Sequence, residues 1–135
     1  MADAPVTQSG QVAESFPAVP ESVPRARRAV TELASDAGAD QEQLDAIRLA
    51  ISEALTNAVL HAYSGSPGLV HVRAVLEAGG LSVVVADDGA GLHARLDRRR
   101  MGLGLALIAE MAQEVAIQHR PAGGTELRMR FALRR

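Results

Sequence analysis

At 135 residues the chain fits one domain, long enough to bury a core. Its residues are 47% hydrophobic but only 2% aromatic, so that core must be built from Ala, Val, Leu and Ile, and the absence of cysteine excludes disulfides, thiolate nucleophiles and cysteine metal sites. A formal net charge of −2 gives no basic signal for nucleic acid, and no run approaches the roughly 18 apolar residues of a membrane-spanning helix. Taken in chain order, residues 1–11 are small and polar and read as a flexible tail. They lack the basic and apolar regions of a signal peptide, so the expectation is a soluble cytoplasmic protein. A single domain is expected over 12–135. Residues 12–18 suit a first strand ended by Pro17 and Pro20. Ser22 is the expected N-cap of a helix over 23–37 with Pro24 in its first turn, and Gly38 is expected to close it.

Leu44, Ile47, Ile51, Ala54, Leu55, Ala58 and Ala62 recur at three-and-four spacing, which predicts a second helix from Asp40 to Ala62. Residues 64–68, Ser-Gly-Ser-Pro-Gly, end it. Strands over 69–77 and 81–87 follow, joined at Gly79-Gly80 as a hairpin. A Gly- and Arg-rich loop over 89–101 leads to a helix over 102–114, with Leu105, Ile108, Met111 and Ala112 inward. Strands over 115–119 and 126–133 flank the turn Pro121-Ala-Gly-Gly124. The order is strand, two helices, two strands, helix, two strands. It predicts a two-layer α/β sandwich with helices on one face of a mostly antiparallel sheet.

Three segments carry chemistry. On the second helix Glu53, Asn57 and His61 stand at i, i+4 and i+8, a stripe well off the core face centred on Ile51, Leu55 and Ala58. An amide oxygen and a carboxylate one turn apart suit a hard cation and the polarisation of a hydroxyl. The same spacing also suits a solvated helix face, and His61 equally suits packing at the helix end. The apolar strand 81–86 ends in Asp87-Asp-Gly89-Ala-Gly91, where a buried acid is costly unless paired. Asp87 can accept a hydrogen bond from an exocyclic amine, with Gly89 and Gly91 letting the backbone bend close. A plain turn is the alternative. A methyltransferase-like strand end is the other, but too little chain follows it for a doubly wound fold. Gly102-Leu103-Gly104 is expected to open a helix, where free N–H groups favour anions. Among Arg95, Arg98, Arg99 and Arg100 the last is the best candidate to clamp phosphate.

Together these segments resemble the nucleotide-binding boxes of the GHKL ATPase superfamily. The wording SEALTNAVLHAY resembles the anti-sigma-factor serine/threonine kinases of bacterial partner-switching systems. The resemblance covers residues 12–133. It implies a Bergerat-type ATP-binding fold in which Asn57 holds Mg²⁺, Asp87 fixes adenine and Glu53 acts as catalytic base. Gly89, Gly91, Arg100, Gly102, Leu103 and Gly104 would line the nucleotide, and Thr125, in the closing Gly-Thr element, would lie near the phosphates or support the second helix. It further implies a sigma factor and a small anti-anti-sigma (STAS-type) protein as partners, the latter phosphorylated on serine. A homodimer is common among related proteins, and Leu49 and Leu60 are candidate interface residues. One departure stands out: only ten residues separate Gly91 from Gly102, a shorter lid than in many superfamily members. That favours a non-catalytic, nucleotide-dependent sequestering module as the alternative, with a detached histidine-kinase-type catalytic domain as a third reading.

Overall fold

The computed structural model describes residues 6–8, 10–63, 66–89 and 98–133. In chain order the elements are β1 (Val6–Gln8), β2 (Gln11–Pro17), α1 (Ser22–Asp36), α2 (Gln41–His61), β3 (Leu69–Glu77), β4 (Gly80–Asp87), α3 (Arg98–Met111), β5 (Glu114–His119) and β6 (Thr125–Ala132). The strands form one six-stranded sheet, ordered β1-β2-β3-β4-β6-β5, and every neighbouring pair is antiparallel. Strand β1 falls inside the segment expected as a tail: Val6–Gln8 pairs back onto Gln11–Ala13. Too short for a period-two signal, it is visible only through its pairing.

Alternation along each strand separates two faces. Val12, Phe16, Val70, Val72, Leu81, Val83, Val85, Leu127, Met129 and Phe131 are buried and join Ala26, Val30, Ile47, Ile51, Leu55 and Ile108 from the helices in one core. Each large aliphatic side chain buried there stabilises by roughly 1.5–3 kcal/mol. Ser15, Arg73 and Arg128 point the other way and are exposed. The three described helices therefore cover one face, as the element order implies.

Helix boundaries follow local chemistry. The capping box at Asp40 forms in full, with Gln43 N donating to Asp40 Oδ1 at 2.8 Å and Asp40 N to Gln43 Oε1 at 2.9 Å. Gly38 closes α1 with φ of +95°, while Ala39 N reaches Ala34 O at 3.0 Å. The start of α1 differs from expectation. Glu21 occupies the N-cap without a side-chain bond, and Ser22 is the buried first helical residue. Carbonyls of the preceding turn do the capping instead, Val19 O for Ser22 N and Pro20 O for Val23 N. The β3–β4 turn is Ala78-Gly79, with Gly79 at φ +76° and Gly80 already paired to Glu77, one residue earlier than expected.

The start of α3 is the larger difference. It begins at Arg98, four residues before Gly102, so Gly102 and Gly104 are interior helical residues and the free N–H groups belong to the first turn from Arg98. Three arginines and Met101 are good helix formers. Two glycines at about 1 kcal/mol each do not end a helix that packs along α2.

Candidate functional site

Helix α2 brings two of the expected side chains together, and α3 covers them. Glu53 and Asn57 are half-buried, one turn apart. A Cβ added at Gly104 would stand 3.1 Å from Glu53 Oε2 and 3.2 Å from Asn57 Nδ2. The glycine therefore leaves the space into which both side chains project. Among the described residues Asn57 Nδ2 is buried with no hydrogen-bond partner. A buried amide nitrogen left unpaired costs about 1–3 kcal/mol, so this is a group arranged for something other than the protein itself. Rotating the amide by half a turn presents Oδ1 in the same place.

At the end of β4 the second cluster forms. Asp87 is 4% exposed and pairs in register with Thr125 of β6, so both side chains lie on the inner face of the sheet. Gly89 N donates to Asp87 Oδ1 at 3.1 Å, and the Thr125 backbone amide also bonds the carboxylate. Burial nevertheless dominates: it pushes the Asp87 carboxyl above the usual carboxylate range, with the Asp88 charge adding to it. Beside it Thr125 Oγ1 is buried and unpaired, the second such atom among the described residues. Gly124, at φ +94°, is required by contact, because a Cβ there would strike the Asp87 carbonyl oxygen. Gly89 is required likewise: a Cβ would strike Ala62 O and the Tyr63 ring, so the end of α2 excludes a side chain at this turn. The same contact sets β4 against α2. At 1.5 Å rise per residue, Asn57 lies about 7.5 Å along the helix from Ala62. The buried acid with its orphaned hydroxyl thus lies at the end of β4 against the end of α2, and the orphaned amide with the second carboxylate lies further back along the same helix.

The sequence profile of the histidine kinase-like ATPase domain matches residues 16–131, nearly the whole chain. The chain belongs to this family. A relative from Clostridium acetobutylicum, named Anti-sigma F factor, is 30% identical over 131 residues, covering 87% of this chain and 92% of the relative. One of the same name from Caldanaerobacter subterraneus is 29% identical over 115 residues, covering 77% of this chain and 80% of the relative. Among solved structures, the RsbU and RsbW domains of Rv1364c from Mycobacterium tuberculosis superpose with a TM-score of 0.74 at 29% identity. That match covers 93% of this chain, which spans about a third (33%) of the larger one.

Within the histidine kinase-like ATPase domain, the structure brings Glu53, Asn57 and Gly104 into one group and Asp87, Gly89 and Thr125 into another. Gly91 lies outside the described residues, as do Arg95 and the side chains of Arg98, Arg99, Arg100, Leu103 and His61. The backbone of Gly102 is helical. Sequence reasoning missed a set around Asp88. This residue turns to the outer face, where His71 Nε2 lies 2.6 Å from Oδ2 and Arg120 Nη1 2.5 Å from Oδ1. Ser15 Oγ in turn lies 2.7 Å from His71 Nδ1. The His71 hydrogen bond chiefly holds the Asp88 carboxyl below its usual range. Also missed was Tyr63, whose hydroxyl donates to Leu69 O at 2.5 Å and accepts from Asp88 N at 2.8 Å. The available signal was composition: it is the single tyrosine of a chain with 2% aromatics.

Proposed function

We propose that this domain binds ATP with Mg²⁺, sequesters a sigma factor, and phosphorylates a serine of an anti-anti-sigma antagonist. The observation that carries the nucleotide reading is the pair of buried polar atoms unpaired among the described residues, Thr125 Oγ1 opposite the buried Asp87 carboxyl and Asn57 Nδ2 beside Glu53 on α2. A purine amine suits Asp87, an acceptor-rich carboxylate whose other partners among the described residues are the backbone amides of Gly89 and Thr125. Among the described residues no group of three His, Asp or Glu is poised to hold a metal. A single Asn57 oxygen suits Mg²⁺, which takes most of its ligands from phosphate and water. Bound there, the nucleotide and its metal would supply the transferable phosphoryl group and neutralise its charge.

Glu53 reaches the same space from the preceding turn, and its Oε2 is the group assigned to accept the proton of an approaching serine hydroxyl. Gly104 keeps that approach open. The partner reading rests on the relatives named Anti-sigma F factor. Leu49 and Leu60, 41% and 59% exposed and eleven residues apart on one face of α2, are the surface assigned to a second copy of the chain. No helix among the described residues is long and apolar enough to cross a membrane, and a cytoplasmic setting fits partners that act on RNA polymerase.

The test is incubation with labelled ATP and Mg²⁺ alongside candidate sigma factors and serine-bearing antagonists. Transfer to an antagonist serine, together with ATP-dependent retention of one sigma factor, supports the proposal. ATP-dependent retention without transfer would leave the non-catalytic module suggested by the short Gly91–Gly102 segment. Absence of both would reject the partner-switching reading.

A further inference from the structure

The inner and outer arrangements meet in one peptide, Asp87-Asp88, and three contacts hold that peptide from outside the nucleotide site. The Tyr63 hydroxyl accepts from Asp88 N at 2.8 Å while donating to Leu69 O at 2.5 Å, so one oxygen ties the end of β4 to the start of β3. Its ring lies where a Cβ on Gly68 or Gly89 would stand, so the ring and both glycines are mutually fitted. Arg120 Nη1 bonds Asp88 Oδ1 and reaches Asp87 O at 3.3 Å. Asp87 itself spends no side-chain bond on another side chain among the described residues.

We infer that Tyr63 is a positioning residue for base recognition, fixing through the Asp88 amide the direction in which Asp87 presents its carboxylate. The inference rests on the reading of Asp87 as the adenine contact. The physical case is one of preorganisation. A carboxylate that reads one amine must be held to a few tenths of an ångström, because a hydrogen bond weakens steeply as its angle opens. Among the described residues the Asp87 carboxylate is held by backbone amides, those of Gly89 and Thr125, so its aim follows the placement of the backbone at the end of β4. Rigidity must come from the backbone that carries it. On the Asp88 side that backbone is fastened by a phenol oxygen with both of its hydrogen-bonding roles in use.

A residue that merely stabilised the fold would affect all nucleotides alike. One that aims Asp87 must affect adenine more than guanine, whose exocyclic groups are placed differently.

Tyr63→Phe removes the oxygen and keeps the ring on Gly68 and Gly89. Two measurements on that variant test the idea. In the ligand-free protein, hydrogen exchange at the Asp88 amide is expected to accelerate about tenfold or more, with the β2–β3 ladder unchanged. This readout needs no nucleotide, so it stands even if the ATP reading fails. By calorimetry with Mg·ATP and Mg·GTP, ATP affinity is expected to fall about three- to tenfold and GTP affinity by less than about twofold. Unchanged Asp88 exchange would overturn the clamp itself. Equal losses for ATP and GTP, in a variant whose wild type prefers ATP, would overturn the positioning role while leaving Asp87 in place. A wild type that binds both nucleotides equally would overturn the adenine reading and the Tyr63 role with it. Tyr63→Leu, which also removes the ring, is expected to lose affinity for both nucleotides, and it separates packing from the hydroxyl.

Discussion

Asp87 and Asp88 are neighbours in the chain, yet the two faces of the sheet treat them oppositely. On the inner face Asp87 is buried, its charge is disfavoured, and the hydroxyl beside it has no partner among the described residues. On the outer face Asp88 is engaged by His71 and Arg120, and its charge is favoured. Protein stability is served by the second arrangement and opposed by the first. On the proposed function, the polar atoms left unpaired in the interior among the described residues are those that meet the ligand, while those on the surface serve the fold. The comparison therefore predicts that inner substitutions change binding or chemistry with little loss of stability, and outer ones do the reverse.

Glu53→Ala gives the largest expected effect. Loss of a general base lowers rate by about 10²–10⁴-fold, so phosphorylation of the antagonist serine should nearly vanish while ATP affinity, read by calorimetry on the same preparation, changes little. Loss of both would make Glu53 a metal-site or packing residue.

Asp87→Asn should weaken ATP by roughly 1.5–3 kcal/mol, the worth of a hydrogen bond to a charged group. Its stability effect has the opposite sign. Because the folded carboxyl titrates above its unfolded value, Asp87 destabilises the ligand-free protein at neutral pH, and that penalty is relieved as pH falls through the raised value. Thermal melts should show the variant more stable than wild type at pH 7, with the difference shrinking toward pH 4. A less stable variant at pH 7 would mean that Asp87 is chiefly structural.

Gly104→Ala sharpens the same contrast. Replacing an interior helical glycine favours the helix by up to about 1 kcal/mol, and the atoms it would meet, Glu53 Oε2 and Asn57 Nδ2, are side-chain ends that can move aside. A higher melting temperature with reduced ATP affinity is expected. Retained affinity would show that the space above Asn57 is not used.

The outer face supplies the smallest effect. His71→Ala breaks the link from Ser15 to Asp88, a half-exposed pairing whose loss costs at most about 1 kcal/mol. Asp88 contributes stability above its unfolded pKa that is lost as pH falls through its lowered folded value, so the variant should flatten the acid limb of the stability curve. ATP affinity within about twofold of wild type is expected, since Tyr63 and Arg120 remain. A loss as large as that of Asp87→Asn would erase the distinction between the faces.

Much of the inner arrangement was legible in the residues. The three-and-four periodicity of α2 predicts a helix from Asp40 and with it where Glu53 and Asn57 stand. Asp87 was singled out because an acid ends an apolar strand. The outer arrangement was not legible, because Ser15, His71, Asp88 and Arg120 come from four places in the chain. They meet only through the β2–β3, β3–β4, β4–β6 and β5–β6 registers. Nor was the start of α3, where arginine helix propensity outweighed the glycines taken as a beginning, or that of α1, where backbone carbonyls replaced a serine cap.

The scarcity of aromatic residues has an optical consequence. With no tryptophan and one tyrosine in the chain, ultraviolet emission excited near 280 nm originates from a single ring, the one lying against Gly89 and bonded to Asp88. Quenching, lifetime or anisotropy of that emission reads one peptide without any introduced label, so titration of nucleotide or partner into the unmodified protein can be followed at the turn proposed to recognise the base.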